Sequence, residues 1–153
     1  MKQVYIARCD ASNKGSEVIM SNVIVSPNQR LVFQSTNKAS YTNVARAELQ
    51  ALHSLLSHAR RQNIERLQAV SDCKTVVEVV LSPKRKFKGS DAKKMNGLLQ
   101  KIRELILWFK EIKIMFKKRQ HNVYADSLCH LSWAGIKFSK AGGEVNLDKP
   151  IKP

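Results

Sequence analysis

The sequence predicts an α/β protein built on a mixed sheet of five strands covered by helices. Three observations carry this. Val4 to Cys9 is a β-branched and aromatic run that reads as a buried strand. From about Asn43 the apolar period changes to that of a helix, and thereafter strand-like and helix-like stretches alternate. The chain has 153 residues, 43% of them hydrophobic, which suits one domain with one core.

The elements follow in order. After the first strand a polar loop, Ser12-Asn13-Lys14-Gly15, leads to two β-rich runs, Val18 to Val25 and Leu31 to Phe33, separated by Ser26-Pro27-Asn28-Gln29. Those runs read as a hairpin, and with the first strand they form an antiparallel meander. Val44, Leu52, Leu55, Leu56 and Ala59 recur at helical spacing among good helix formers. Arg66 to Asp72 reads as a fourth strand ending on an acid, and Thr75 to Leu81 as a short helix or turn. Ser90 is the expected cap of a helix whose apolar face is Met95, Leu98, Leu99, Ile102, Leu105, Ile106 and Phe109. Ile112, Ile114 and Phe116 alternate as a fifth strand, Asn122 to Trp133 reads as the last helix, and residues 141–153 as a polar tail with little to bury.

Charge narrows the function. With 27 Lys and Arg against 12 Asp and Glu the chain carries +15, a surface that attracts polyanions, nucleic acid foremost. No apolar run reaches the roughly 20 residues of a membrane span, and the N-terminus is not a secretory signal, so a cytoplasmic protein is expected. Cys9, Cys73 and Cys129 are far apart and lack any CxxC spacing. A disulfide framework or zinc site is not expected, and each reads as a small apolar residue near an element end.

Four acids interrupt these patterns. Asp10 ends an apolar strand, where a turn-forming role competes with a functional one. Glu48 precedes Leu52, Leu55, Leu56 and Ala59 by 4, 7, 8 and 11 residues, which puts it on the stripe that faces the sheet. Asp72 closes the fourth strand, and Asp126 lies inside the last helix. Each alone reads equally as an ion pair or a cap. Together, each at the end of an element packed on one sheet, they form a cluster that repels itself unless cations neutralise it. Oxygen ligands suit Mg²⁺ or Mn²⁺, and two such ions can flank a phosphodiester.

These residues resemble the type 1 ribonuclease H family from about Tyr5 to Trp133. The marks are RCDAS with Asp10, RAELQAL with Glu48, SDCKTVV with Asp72 and RQHNVYADSL with Asp126. In the last, Arg119, Asn122, Ala125 and Asp126 match the R-x-x-N-x-x-A-D pattern of the plant-like and archaeal-like branch. The resemblance implies an RNase H-like catalytic domain over residues 1–140, with a five-stranded mixed sheet and helices on both faces. It implies cleavage of the RNA strand of an RNA/DNA hybrid by a two-metal mechanism, leaving 3′-hydroxyl and 5′-phosphate ends.

By the same likeness Asp10, Glu48, Asp72 and Asp126 are metal ligands for two Mg²⁺ ions, or Mn²⁺ in their place, and Glu48 also lies near the 2′-hydroxyl beside the scissile phosphate. Arg119 approaches that phosphate. Substrate contacts are expected from Ala11, Ser12, Asn13, Asn43, Arg46 and Asn122, and the protein is expected to be a monomer. The sequence departs from the family at Ala11, where Gly is usual, at Val44, where many members have Asn, and in a loop thinned to Gly15. The basic handle with tryptophans and the mobile His of many bacterial members are not evident, although His121 lies in the loop before Asp126.

The loop Pro83 to Gly89 interleaves Phe87 among Lys84, Arg85, Lys86 and Lys88. Lys84, Arg85 and Lys86 are candidates for the DNA strand's phosphates, against the plain alternative of solvated surface. Of the other histidines only His130, one turn after Asp126, is placed to support an acid, and surface or core packing is the leading reading for it as for His53 and His58. Two other functions stay open: a nucleic-acid-binding module of this fold with little turnover, and a related nuclease with a different substrate.

Overall fold

A computed structural model describes residues 3–138 and 141–151. The sheet is built from β1 (Tyr5–Lys14), β2 (Glu17–Val25), β3 (Arg30–Ser40), β4 (Arg66–Ser71), β5 (Glu111–Phe116) and β6 (Gly142–Glu144). Their spatial order is β5-β4-β1-β2-β3-β6. β1, β2 and β3 form the expected antiparallel meander, and β4 and β5 add in parallel on the other side of β1. The sheet thus has six strands where five were expected. The sixth is three residues long and pairs only with Arg30 and Leu31, too short to leave a period in the sequence.

The helices are α1 (Val44–Arg61), α2 (Lys74–Leu81), α3 (Ala92–Trp108) and α4 (Val123–Trp133), the last preceded by a 3-10 turn at Arg119–His121. Side chains alternate across the sheet, so its two faces carry different cores. Ala7, Cys9, Val18, Met20 and Ile24 face α1, where Leu49, Leu52, Leu55 and Leu56 are fully buried, and Leu99 and Ile102 of α3 extend the same cluster. On the opposite face Val23, Val25 and Leu31 meet Tyr124 and Leu128 of α4.

Several boundaries differ from expectation for physical reasons. β3 continues to Ser40 because it pairs with β2 along its whole length, although Gln34 to Ser40 has no β period of its own. Asp91, not Ser90, occupies the cap position of α3, and its carboxylate is taken by Asn43 Nδ2 at 3.3 Å and Arg46 Nη1 at 3.2 Å. Val44 was expected on the buried stripe of α1 but is 56% exposed, since it opens the helix before the stripe reaches the sheet. Residues 141–151 were expected to bury little. Instead Leu147 packs with Val23, Val25 and Leu31.

A buried guanidinium fastens that C-terminal segment. Arg8 on β1 donates to the carbonyls of Leu147 at 2.7 Å and His121 at 3.2 Å, and its Nη2 lies 3.1 Å from Asp148 Oδ1. One side chain therefore ties the first strand to the turn carrying Arg119 and to the end of the chain. No helix among the described residues is long and apolar enough to cross a membrane.

Candidate active site

The parallel ladder between β1 and β4 fixes where two of the acids meet. Arg8 pairs with Val70, and β4 ends at Ser71, so Asp72 leaves the sheet beside Asp10. This is the carboxyl end of a parallel pair, the usual ligand position in an open α/β sheet. Glu48 arrives from α1, four residues before Leu52, and is 4% exposed. Asp10, Glu48 and Asp72 each offer a carboxylate oxygen, and these oxygens lie within 4.8 Å of one another.

The environment of these carboxylates is costly. Asp10 is 2% exposed, and its Oδ2, like Glu48 Oε2, is a buried oxygen with no hydrogen-bond partner. Burial first, then the charge of Asp72, pushes the Asp10 carboxyl up to about 8. Burial and the charges of Asp10 and Asp72 raise Glu48 well above the usual carboxylate range, and burial also raises Asp72. Crowded, desolvated carboxylates with orphaned oxygens are what a hard divalent cation satisfies, so the residues present fit such an ion.

Around them is an open cavity of about 450 Å³. Asp10, Ala11, Ser12 and Asn13 line it from β1, Val44 and Glu48 from α1, and Asp72, Cys73 and Arg119 close it. Cys73 was read from sequence only as a small apolar residue. It lies at this wall because it caps α2 directly after Asp72.

Asp126 is brought alongside rather than into the triad. In the first turn of α4, its Oδ1 is 3.5 Å from Arg119 Nη2 and its Oδ2 is 3.3 Å from His130 Nε2. Arg119 is held more firmly protonated by Asp126 first and by Asp10 and Asp72 after it. The exposed Arg119 side chain thus stands between Asp126 and the cavity, and His130 lies on the other side of the acid, in contact with it where surface or core packing was the leading expectation.

The expected substrate residues divide. Ala11, Ser12 and Asn13 line the cavity, whereas Asn43 and Arg46 are engaged with Asp91 at the start of α1. Asn122 is fully buried and donates to the Cys9 carbonyl at 2.9 Å, which fastens α4 to β1 behind the cavity wall. Lys84, Arg85 and Lys86 lie outside the acid cavity, around a separate depression with Thr75, Val79 and Phe87, and Arg85 is within 3.7 Å of Glu78.

Sequence reasoning placed Trp133 only as the end of the last helix. Its indole nitrogen donates to Ser12 Oγ at 3.2 Å, which links the end of α4 to the cavity wall.

The profile of the family described as reverse transcriptase-like matches residues 8–132. A comparison with curated proteins gives no match. Among solved structures the chain is similar to RNase H1 from the halophilic archaeon Halobacterium salinarum NRC-1, with TM-score 0.75 and 19% identity over 86% of this chain and 98% of that one. It is also similar to the N-terminal RNase H domain of a Mycobacterium tuberculosis protein, with TM-score 0.73 and 22% identity over 88% and 96%. A third similarity is to LC11-RNase H1 in complex with RNA/DNA hybrid, with TM-score 0.67 and 17% identity over 82% and 94%. At these identities the likeness establishes the fold. The sheet order, the helices on both faces and the profile match over residues 8–132 together place the chain in the reverse transcriptase-like family, with the RNase H-like α/β fold.

Proposed function

We propose that this protein is a metal-dependent endoribonuclease that hydrolyses the RNA strand of RNA/DNA hybrids, leaving 3′-hydroxyl and 5′-phosphate ends. The observation that carries the reading is the convergence of Asp10, Glu48 and Asp72 within 4.8 Å in a chain of charge +15. The net charge gathers the polyanion, and the buried carboxylates provide a strongly acidic spot at which its phosphates need cations. A solved neighbour that holds RNA/DNA hybrid supports that choice of duplex. Asp10, Glu48 and Asp72 would hold the metal, with Asp126 completing the set beside Asp10. Mg²⁺, two ions per site, or Mn²⁺ in its place, would supply activation of water and neutralisation of charge on the phosphodiester. Arg119, exposed at the rim and tethered to Asp126, meets the phosphate electrostatically. Glu48 and the wall at Ala11 and Ser12 face the groove in which 2′-hydroxyls on one strand mark a hybrid. Lys84, Arg85 and Lys86 extend the grip to phosphates farther along the DNA strand. Residues 1–140 form the catalytic unit, with the later residues supporting it through Arg8.

The test is incubation with labelled RNA/DNA hybrid, duplex RNA and duplex DNA, each with Mg²⁺, Mn²⁺ or EDTA. The expected result is metal-dependent cutting of the hybrid's RNA strand and none of duplex DNA. Asp72→Asn should abolish cutting and leave the fold intact or slightly stabilised, because one charge of a repelling cluster is removed. Equal rates on duplex DNA and hybrid would overturn the substrate, and undiminished turnover in Asp72→Asn would remove the acids from the chemistry.

A further inference from the structure

Beyond the acid cavity, β1 and α4 run side by side to a second feature. Side chains alternate on a strand, so Asp10, Ser12 and Lys14 share one face of β1 over about 13 Å. On α4 the chain passes from Asp126 to Trp133 over seven residues, about 10 Å. Both paths end at the Trp133 indole. Lys14 Nζ stands 5.3 Å from its ring centroid, and Lys38 Nζ of β3 stands 5.4 Å from it. Lys38 reaches the ring because Ser12 pairs with Ile19 and Ile19 with Lys38, in one row across the sheet.

Two ammonium groups on one ring repel each other. A carboxylate beside them is that of Glu17, opposite Lys14 across the hairpin and 3.9 Å from Lys38, with both members of that pair more than half exposed. An exposed pair of this kind is worth little, and one carboxylate leaves an excess positive charge at the ring. The ring's orientation is fixed through its bond to Ser12, which itself lines the acid cavity.

We propose that Trp133, Lys14 and Lys38 form a second nucleic-acid contact, a cationic aromatic platform that holds the sugar-phosphate strand a few nucleotides from the cleavage point. The two ammonium groups take backbone phosphate, and the half-buried indole offers its free edge to the adjoining sugar or base. The proposal rests on the hybrid-binding reading above and adds a location for strand grip where the Gly-rich loop is thinned.

The experiment separates this contact from catalysis. Trp108→Phe leaves Trp133 as the sole tryptophan, and the variant is titrated with a hybrid in EDTA while fluorescence and the anisotropy of a labelled strand are both recorded. Trp133 emission should change in step with anisotropy. Adding Lys14→Ala and Lys38→Ala should weaken binding about tenfold and lower the slope of log affinity against log salt by roughly 1.4 to 1.8. Trp133→Phe should keep the slope, since no charge is lost, and bind more weakly than the parent. Full binding with unchanged emission, or an unaltered salt slope in the double lysine variant, would overturn the platform. Absence of cleavage by the unmodified protein would overturn the ribonuclease reading and leave this binding result standing.

Discussion

The two faces of the sheet are held in different ways. Against α1 and α3 the sheet packs a continuous apolar cluster in which Leu49, Leu52, Leu55 and Leu56 are inaccessible to solvent. Against α4 the apolar cluster is small, and polar ties do much of the fastening: Ser21 Oγ to Ala125 O at 2.7 Å, Tyr124 OH to Gln34 Oε1 at 2.8 Å, Thr36 Oγ1 to Ser132 Oγ at 3.0 Å, and Asn122 to Cys9. Apolar burial is strong but non-directional, whereas hydrogen bonds contribute modestly and fix position. The difference assigns stability mainly to the α1 face and geometry mainly to the α4 face, which carries Asp126, His130 and Trp133.

The contrast would break first at the α1 face. Leu52→Ala removes a fully buried side chain from the large cluster and should cost about 3–5 kcal/mol in urea unfolding. Its cleavage rate per folded molecule at 25 °C should stay near that of the parent. A large loss of rate with little loss of stability would show that the two faces are not separable in this way.

The site between the faces sharpens the contrast through pH. Asp10 is raised to about 8 by burial and by Asp72, so between pH 4 and 8 the folded, metal-free protein holds a proton that the unfolded chain releases. Stability must then fall as pH rises through that window, opposite to the behaviour of a carboxylate whose pKa is depressed. Urea midpoints in EDTA should drop from pH 5 to pH 8. Asp10→Asn should make the profile shallower and be the more stable form at pH 8. If the acids hold Mg²⁺ as proposed, the ion should raise the parent's midpoint most at the alkaline end, where the cluster is ionised. A midpoint that rises with pH in EDTA would contradict the assignment of burial as the dominant effect.

The smallest stability change, with the larger functional consequence, is expected at the α4 face. Asn122→Ala deletes the bond to the Cys9 carbonyl and leaves that acceptor buried, a loss of about 1–2 kcal/mol. Arg119 and Asp126 flank Asn122 in sequence, so the rate on hybrid should fall tenfold or more under conditions where the variant remains folded. A variant with normal rate and reduced stability would make Asn122 only a structural tie.

Much of this was legible before the structure. Glu48 is readable because a helix repeats every 3.6 residues, and its spacing to Leu52, Leu55 and Leu56 leaves it no exposed face. Asp72 is readable as the end of an apolar strand. Features set by register between distant segments were not. Lys38 meets Trp133 only because β3 pairs with β2 seven residues beyond Leu31, in a stretch with no β period. Asn122 lies in the motif that suggested a substrate contact, and only the approach of α4 to β1 turns its side chain inward. Val44 has an apolar side chain at the right period, but a first helical residue lies ahead of the surface the rest of the stripe covers.

Arg8 adds a temporal order to this architecture. It is made 113 to 140 residues ahead of the groups that accept its guanidinium, at His121, Leu147 and Asp148. As the chain leaves the ribosome, β1, β2, β3 and α1 are available to assemble the large core while Arg8 still has water as its partner. Contacts spanning 113 to 140 residues close last, because their loop entropy is repaid only once the intervening elements are folded. The turn bearing Arg119 is therefore secured only after the segment around Leu147 and Asp148 has been made, so a nascent chain can be well folded on its α1 side before its acid site is set.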